Sequence, residues 1–232
     1  MDSSNTEIIA CHGWAMTSSF WNPLIEYFDE DYRFKKSDRG YFSDPNSPEF
    51  SEKNGKLKVL LTHSLGLHWC SDDLVNSADH LVIMGGFLNY QPFENSKQNR
   101  SKLMLREMLS QFVETPKKVL EEFYRKASQP AGSYPKVPES LNHELLLEDL
   151  NLFLEDQFPR QRFFDVPQIT ILHGTDDHVV SRHQAREMYH ELRYYSQYFE
   201  LKQSGHLFPF TNPGACYEII KSVLSSRTEV DV

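Results

Sequence analysis

Lys56-Leu-Lys-Val-Leu-Leu-Thr-His-Ser64-Leu-Gly66 is the stretch on which the fold turns. Lys56–Leu61 reads as a strand, and Thr62-His63-Ser64-Leu65-Gly66 reads as the tight turn from it into a helix. Such a turn projects a serine hydroxyl and aims the following backbone N–H at the same point. Small residues two before and two after the serine let strand and helix approach closely. Gly66 fills the second of these positions, whereas Thr62 stands where the usual pattern has glycine. Taken alone, a serine in such a turn is a helix cap. A chemical role requires partners at the ends of other strands.

Outward from this stretch, short strands alternate with helices. Strands are predicted at Glu7–Cys11, Tyr32–Phe34, His80–Met84, Gln168–Leu172 and Tyr198–Leu201. Helices are predicted over Ser18–Phe28, Leu67–Val75, about Arg182–Tyr195 and about Pro213–Leu224. This alternation predicts an α/β fold, a mostly parallel sheet of about six strands covered by helices on both faces. Residues 1–91 would form the first half of the core and 168–232 the second. Residues 92–167 read as a helical lid insertion, with helices around Leu103–Val113, after Thr115-Pro116, and over Leu145–Phe158.

Composition narrows the function classes. The chain has 232 residues, 39% hydrophobic, with a net charge of −9, and its mean hydropathy is −0.55. An acidic chain of this kind is a poor nucleic-acid binder, because neutralising phosphates needs a concentrated basic surface. The longest apolar run, Leu81–Leu88, is too short to cross a bilayer. The N-terminal segment has no basic stretch followed by an apolar one, so no secretory signal is expected. Three widely spaced cysteines with no CxxC are those of a reduced, cytoplasmic protein. No HxH or HExxH spacing supports a metal, and no cofactor is expected.

Three further strand ends carry chemistry. His173-Gly-Thr-Asp-Asp177 follows the strand Gln168–Leu172, Ser204-Gly-His206 follows Tyr198–Leu201, and His12-Gly13-Trp14 follows the first strand. The chain order serine, acid, histidine, each after a different strand, suits a nucleophilic triad. Ser64 would attack an acyl carbon, His206 would take and return the proton, and Asp177 would hold the imidazole in one tautomer. Asp176 is the alternative acid, and Asp177 is preferred for its register after Gly174. The N–H groups of Trp14 and Leu65 would form an oxyanion hole. His63 and His68, flanking the elbow, read as packing or polar contacts.

These motifs resemble those of the α/β-hydrolase superfamily across nearly the whole chain. More narrowly, His12-Gly13-Trp14, Ser64-Leu65-Gly66, Gly174-Thr-Asp-Asp177-His-Val-Val180 and Gly205-His206-Leu-Phe-Pro209 resemble the pimeloyl-[acyl-carrier protein] methyl ester esterases of biotin biosynthesis. The chain looks like a short, divergent branch, departing at Thr62 and lacking the two antiparallel strands usual before the first His-Gly. The resemblance implies a serine carboxylesterase with Trp14 and Leu65 at the oxyanion and Phe123 lining an acyl channel. It also implies an acidic acyl carrier protein as partner. Lys97 to Lys126 holds eight basic and four acidic residues, +4 within a chain of −9, which leaves −13 for the rest. Arg100, Arg106, Lys117 and Lys118 are the candidate carrier-docking residues, although a charged solvent face of a helical lid has the same composition. A general short-chain esterase, thioesterase or lactonase is the alternative activity, and a non-catalytic binding protein on the same fold is a further one.

Overall fold

Each core strand is apolar at both odd and even positions, so it must be covered on both sides. In a computed structural model, residues 6–52, 55–91, 95–155, 160–163 and 165–228 are described. The strands are β1 (Thr6–Cys11), β2 (Tyr32–Lys36), β3 (Leu57–His63), β4 (His80–Met84), β5 (Gln168–Gly174) and β6 (Ser196–Leu201). They form one sheet in the order β2-β1-β3-β4-β5-β6, with every neighbouring pair parallel. Ile8, Ala10, Val59, Leu61, Val82 and Met84 face one side, whereas Ile9, Cys11, Leu60, Leu81 and Ile83 face the other.

The helices are α1 (Asn22–Ile25), α2 (Gly66–Trp69), α3 (Asp72–Ser77), α4 (Asn95–Glu114), α5 (Pro116–Ala127), α6 (His143–Glu155), α7 (Arg182–Leu192), α8 (Phe208–Thr211) and α9 (Pro213–Thr228). Leu24, Phe208 and Ile220 of α1, α8 and α9 cover the first face together with Leu120, Tyr124 and Leu146 of α5 and α6. Leu74 and Val75 of α3 and Met188 and Leu192 of α7 cover the second. The chain crosses from β1 to β2 on one side and then to β3 on the other. That reversal opens a crevice at the carboxyl ends of β1 and β3, where ligands bind in open α/β sheets.

Several element boundaries differ from the sequence reading, each for a local reason. Ser18–Phe28 is not one helix but a 3₁₀ turn, Ser18–Trp21, followed by α1. Pro23 cannot donate back into the preceding turn, so it opens a new helix instead of continuing one. Leu67–Val75 is likewise broken, because Cys70 is extended (ψ 146°) and the Ser71 side chain accepts from the Leu74 N–H at 3.2 Å to start α3 afresh. Ser196 and Gln197, beyond the predicted start, join β6, and α7 ends three residues before the predicted Tyr195. Thr115 precedes α5 without capping it, its hydroxyl donating instead to the Gln111 carbonyl of α4 at 3.2 Å. Residues 1–5, the predicted insertion start at 92 and the predicted helix end at 156–158 lie outside the described residues. No described helix is long and apolar enough to cross a membrane.

α4, α5 and α6 sit over the carboxyl end of the sheet, and α6 is tied there by polar bonds. The Asp149 carboxylate, fully buried, accepts from Arg39 Nε and Nη2 at 2.9 Å each and from the Tyr41 hydroxyl at 2.6 Å. Burial and the neighbouring Asp149 charge both push the Tyr41 phenol upward, so it remains a neutral donor. The Asn142 N–H donates to the Tyr41 carbonyl at 2.7 Å, and Gln91 Nε2 donates to the Phe153 carbonyl at 2.6 Å. Removing one partner of such a buried pair leaves the other uncompensated. Asp149→Ala is therefore expected to destabilise the fold by about 3 kcal/mol, read from the urea midpoint at constant slope. An unchanged midpoint would show that Arg39 and Tyr41 find other acceptors.

Candidate active site

β3 delivers its last residue, His63, to the crevice, and the chain turns at once. Ser64 has φ +52°, a left-handed conformation that side chains other than glycine rarely adopt, and it is buried. Its N–H still donates to the Met84 carbonyl at 3.0 Å, so the turn is welded to β4. Gly66 is required: a Cβ there would run into the backbone oxygens of Cys11 and His12. Thr62, by contrast, fits within the β3 ladder between Cys11 and Ile83, and its hydroxyl has no partner among the described residues.

The segment after β1 lies against this turn. The indole N–H of Trp69 donates to the His12 carbonyl at 2.9 Å. His12 Nε2 accepts from the Arg39 N–H at 3.1 Å, which puts the ring proton on Nδ1, where it donates to the Gly13 carbonyl at 2.9 Å. Asp38 is held well below the usual carboxylate range: burial opposes this, but the N–H groups of Ser18 and Gly40, which donate to its carboxylate at 2.7 and 3.0 Å, outweigh it. Among the described residues, the backbone N–H groups of Trp14 and Leu65 donate to no protein acceptor. Two such donors at the end of a strand and the start of a helix can receive a developing oxyanion.

Asp177 and His206 arrive from β5 and β6. His206 Nδ1 donates to Asp177 Oδ2 at 2.8 Å, and both side chains are buried. The other Asp177 oxygen accepts from the N–H groups of Val179 and Val180 at 2.8 and 2.9 Å. Burial alone would raise this carboxyl, but His206, His173 and the Val179 N–H outweigh it and hold it below the usual range. Asp176 is exposed and accepts from the Thr175 hydroxyl at 2.8 Å. The proton on Nδ1 leaves Nε2 of His206 as the ring's basic nitrogen.

His63, beside the turn, makes both a polar contact and packing contacts, in keeping with the sequence reading. Its Nε2 donates to the His206 carbonyl at 3.0 Å, and its ring lies 4.8 Å from the His206 ring and 4.6 Å from Phe20. Burial, and then the neighbouring His206 ring, press its basicity down, so it stays a neutral donor. His68 Nε2 meets the Phe87 carbonyl at 3.0 Å.

Ser64, Trp14, Phe123 and Arg100 line one cavity of about 850 Å³ between the sheet edge and α4–α6. Val119, Leu150 and Phe153 make its wall apolar, and the Phe123 ring stands edge-on to Trp14 at 5.1 Å. Lys97, Arg125 and Lys126 also line it, with Glu107 and Glu122. Leu65 is buried in the elbow, and Arg106, Lys117 and Lys118 are exposed and outside the cavity. Sequence reading did not place Arg125, Lys126 or Trp69 at the site, because each depends on helix placement over the sheet. Among the described residues, no cluster of three or more His, Cys, Asp or Glu could hold a metal ion.

A carboxyl held low in the folded state stabilises above its unfolded value, and that contribution is lost as pH falls through the depressed folded one. Wild type is therefore expected to lose its stability margin over Asp177→Asn as pH falls below about 4, in thermal melts across pH. A margin independent of pH would show that Asp177 is not ionised in the fold.

No protein-family model matches the chain, and no curated protein matches it in sequence. Solved structures match in shape over nearly its full length. An esterase from Exiguobacterium antarcticum superposes with a TM-score of 0.76 at 17% identity, covering 96% of this chain and 93% of that one. A bromoperoxidase from Bacillus anthracis gives 0.77 at 16% identity, with the same coverage of 96% and 93%. MenH from S. aureus gives 0.69 at 15%, covering 97% and 95%. At such identities the likeness is one of architecture: the chain has the α/β-hydrolase fold.

Proposed function

We propose that this protein is a serine carboxylic ester hydrolase. The observation carrying the reading is the buried Asp177–His206 hydrogen bond at the same sheet edge as the left-handed Ser64, with the unengaged N–H groups of Trp14 and Leu65 in the turns after β1 and β3. Ser64 Oγ attacks the ester carbon while His206 Nε2 takes its proton. The carbonyl oxygen, now negative, accepts from the Trp14 and Leu65 N–H groups. The tetrahedral centre collapses, and the departing alcohol takes the proton from His206. A water molecule then attacks the acyl-enzyme, giving its proton to His206, and Ser64 is regained as the carboxylic acid leaves. Asp177 stays ionised throughout and stabilises the imidazolium.

The substrate is proposed as the methyl ester of a pimeloyl chain on acyl carrier protein, in biotin biosynthesis. The motif resemblance supports it, and so does a cavity with an apolar wall and four cationic residues along α4 and α5. In this reading α4–α6 are the lid, Phe123 borders the acyl chain, and Arg100, with Arg106, Lys117 and Lys118 outside, meets the acidic carrier. A general short-chain esterase is the second reading, favoured by the Exiguobacterium antarcticum esterase among the similar structures.

Ser64→Ala is expected to lower p-nitrophenyl butyrate hydrolysis by about 10⁴-fold or more, with folding intact by circular dichroism. Equal rates in both proteins would remove the acyl-enzyme mechanism. Growth of a biotin auxotroph lacking its esterase, restored by wild type and not by Ser64→Ala, would separate the pimeloyl substrate from a general ester. Arg100→Glu with Lys126→Glu should raise KM for the carrier-linked ester about tenfold at low ionic strength, a difference shrinking toward about 0.5 M salt.

A further inference from the structure

The loop bearing the Trp14 N–H is held from above. Ala15 has φ +57°, a conformation disfavoured for any residue with a Cβ, and it is fully buried. A segment held in this way persists only where its surroundings over-determine it. Two bonds from the insertion do so. The Tyr124 hydroxyl of α5 donates to the Ala15 carbonyl, and the Trp14 indole N–H donates to the Leu146 carbonyl of α6 at 2.9 Å. The same α5 reaches the histidine loop at its other end. The Leu207 N–H donates to the Ala127 carbonyl at 3.1 Å, and a Cβ on Gly205 would run into the Gln129 carbonyl. One helix therefore touches the segments on both sides of Ser64.

We propose that Tyr124 is a positioning residue of the oxyanion hole, its hydroxyl holding the Ala15 carbonyl so that the Trp14 N–H stays aimed at the reacting carbonyl oxygen. This rests on the acyl-transfer reading above and adds to it a role for the insertion: α5 is part of the catalytic framework as well as a cover over the cavity. The Tyr124 side chain is 1% exposed, so water has little access to replace its hydroxyl. Burial holds the phenol above its ordinary value, so it remains a donor across the working pH range. With that bond gone, a buried carbonyl loses its partner and the left-handed residue loses its restraint. The N–H then samples positions away from the oxyanion, a loss felt in the transition state and hardly in ground-state binding.

Tyr124→Phe keeps the ring and removes only the hydroxyl, and Tyr134→Phe, on an exposed neighbour whose ring is 6.1 Å away, is the control. Two measurements are made on the full chain: amide hydrogen exchange over residues 13–16, and kcat and KM for p-nitrophenyl butyrate. In Tyr124→Phe the exchange of the Met16 N–H, which donates to the Gly13 carbonyl, should rise. Its kcat should fall about 10- to 100-fold with KM within about threefold, and Tyr134→Phe should match wild type in both. Unchanged exchange overturns the proposal whatever the activity. So does faster exchange with kcat unchanged, or a fall in kcat accompanied by faster exchange throughout the core, which marks general loosening. Wild-type protein that hydrolyses no ester is a separate result: it removes the acyl-transfer reading, and this inference with it.

Discussion

Parallel pairing of β1 with β3 is the constraint that the rest of the molecule serves. It sets the turn after Cys11 beside the turn after His63, at the point where the chain's crossovers reverse direction. Parallel neighbours cannot be joined by a hairpin, so every connection must cross over a face of the sheet. Those crossovers supply the helices that bury both faces. The same geometry leaves all carboxyl ends at one edge, which is where Ser64, Asp177 and His206 stand. Gly66 records how tight the pairing is, because the turn after β3 packs directly on the backbone of Cys11 and His12.

Among the buried carboxylates, Asp177 and Asp149 divide the electrostatic work at the sheet edge. Asp177 accepts three hydrogen bonds, two from backbone N–H groups and one from His206. Asp149 also accepts three, from the two Arg39 nitrogens and the Tyr41 hydroxyl. Neither charge is left bare, which is the condition for burying an ionised group at all. One fixes the tautomer of a histidine at the sheet edge. The other fastens α6 over the same edge, and through Leu146 it fastens the Trp14 indole as well. The attachment of α6 and the geometry at the sheet edge are thus mechanically continuous.

Much of the fold was legible in the residues, and the illegible parts share a cause. The strands Glu7–Cys11, Lys56–Leu61, His80–Met84 and Gln168–Leu172 stand out because each, past a polar start, is mainly apolar at odd and even positions alike, as a strand covered on both faces must be. Ser18–Phe28 and Leu67–Val75 misled because apolar spacing favoured one helix in each. Single residues, Pro23 and Ser71, restarted the backbone against that spacing. At the candidate site, Thr62 is a departure from the usual glycine that the β3 ladder accommodates. Of the four cations proposed to dock a carrier, Arg100 lines the cavity, whereas Arg106, Lys117 and Lys118 are exposed outside it. Which side of a helix a charge takes depends on packing, and composition does not carry that information.

By itself, the sequence determined the α/β alternation, the helical interruption, and which segments end at the carboxyl edge of the sheet. These follow from periodicity and from glycine and proline chemistry, both local properties of the chain. It is the tertiary structure that brings Asp177, and not the adjacent Asp176, to His206. It alone brought the Tyr124 hydroxyl to Ala15, 109 residues away in the chain, and placed Asp149 against Arg39, 110 away. Such contacts are set by where two faces meet across a packed core, and residue spacing along one chain holds no measure of that distance.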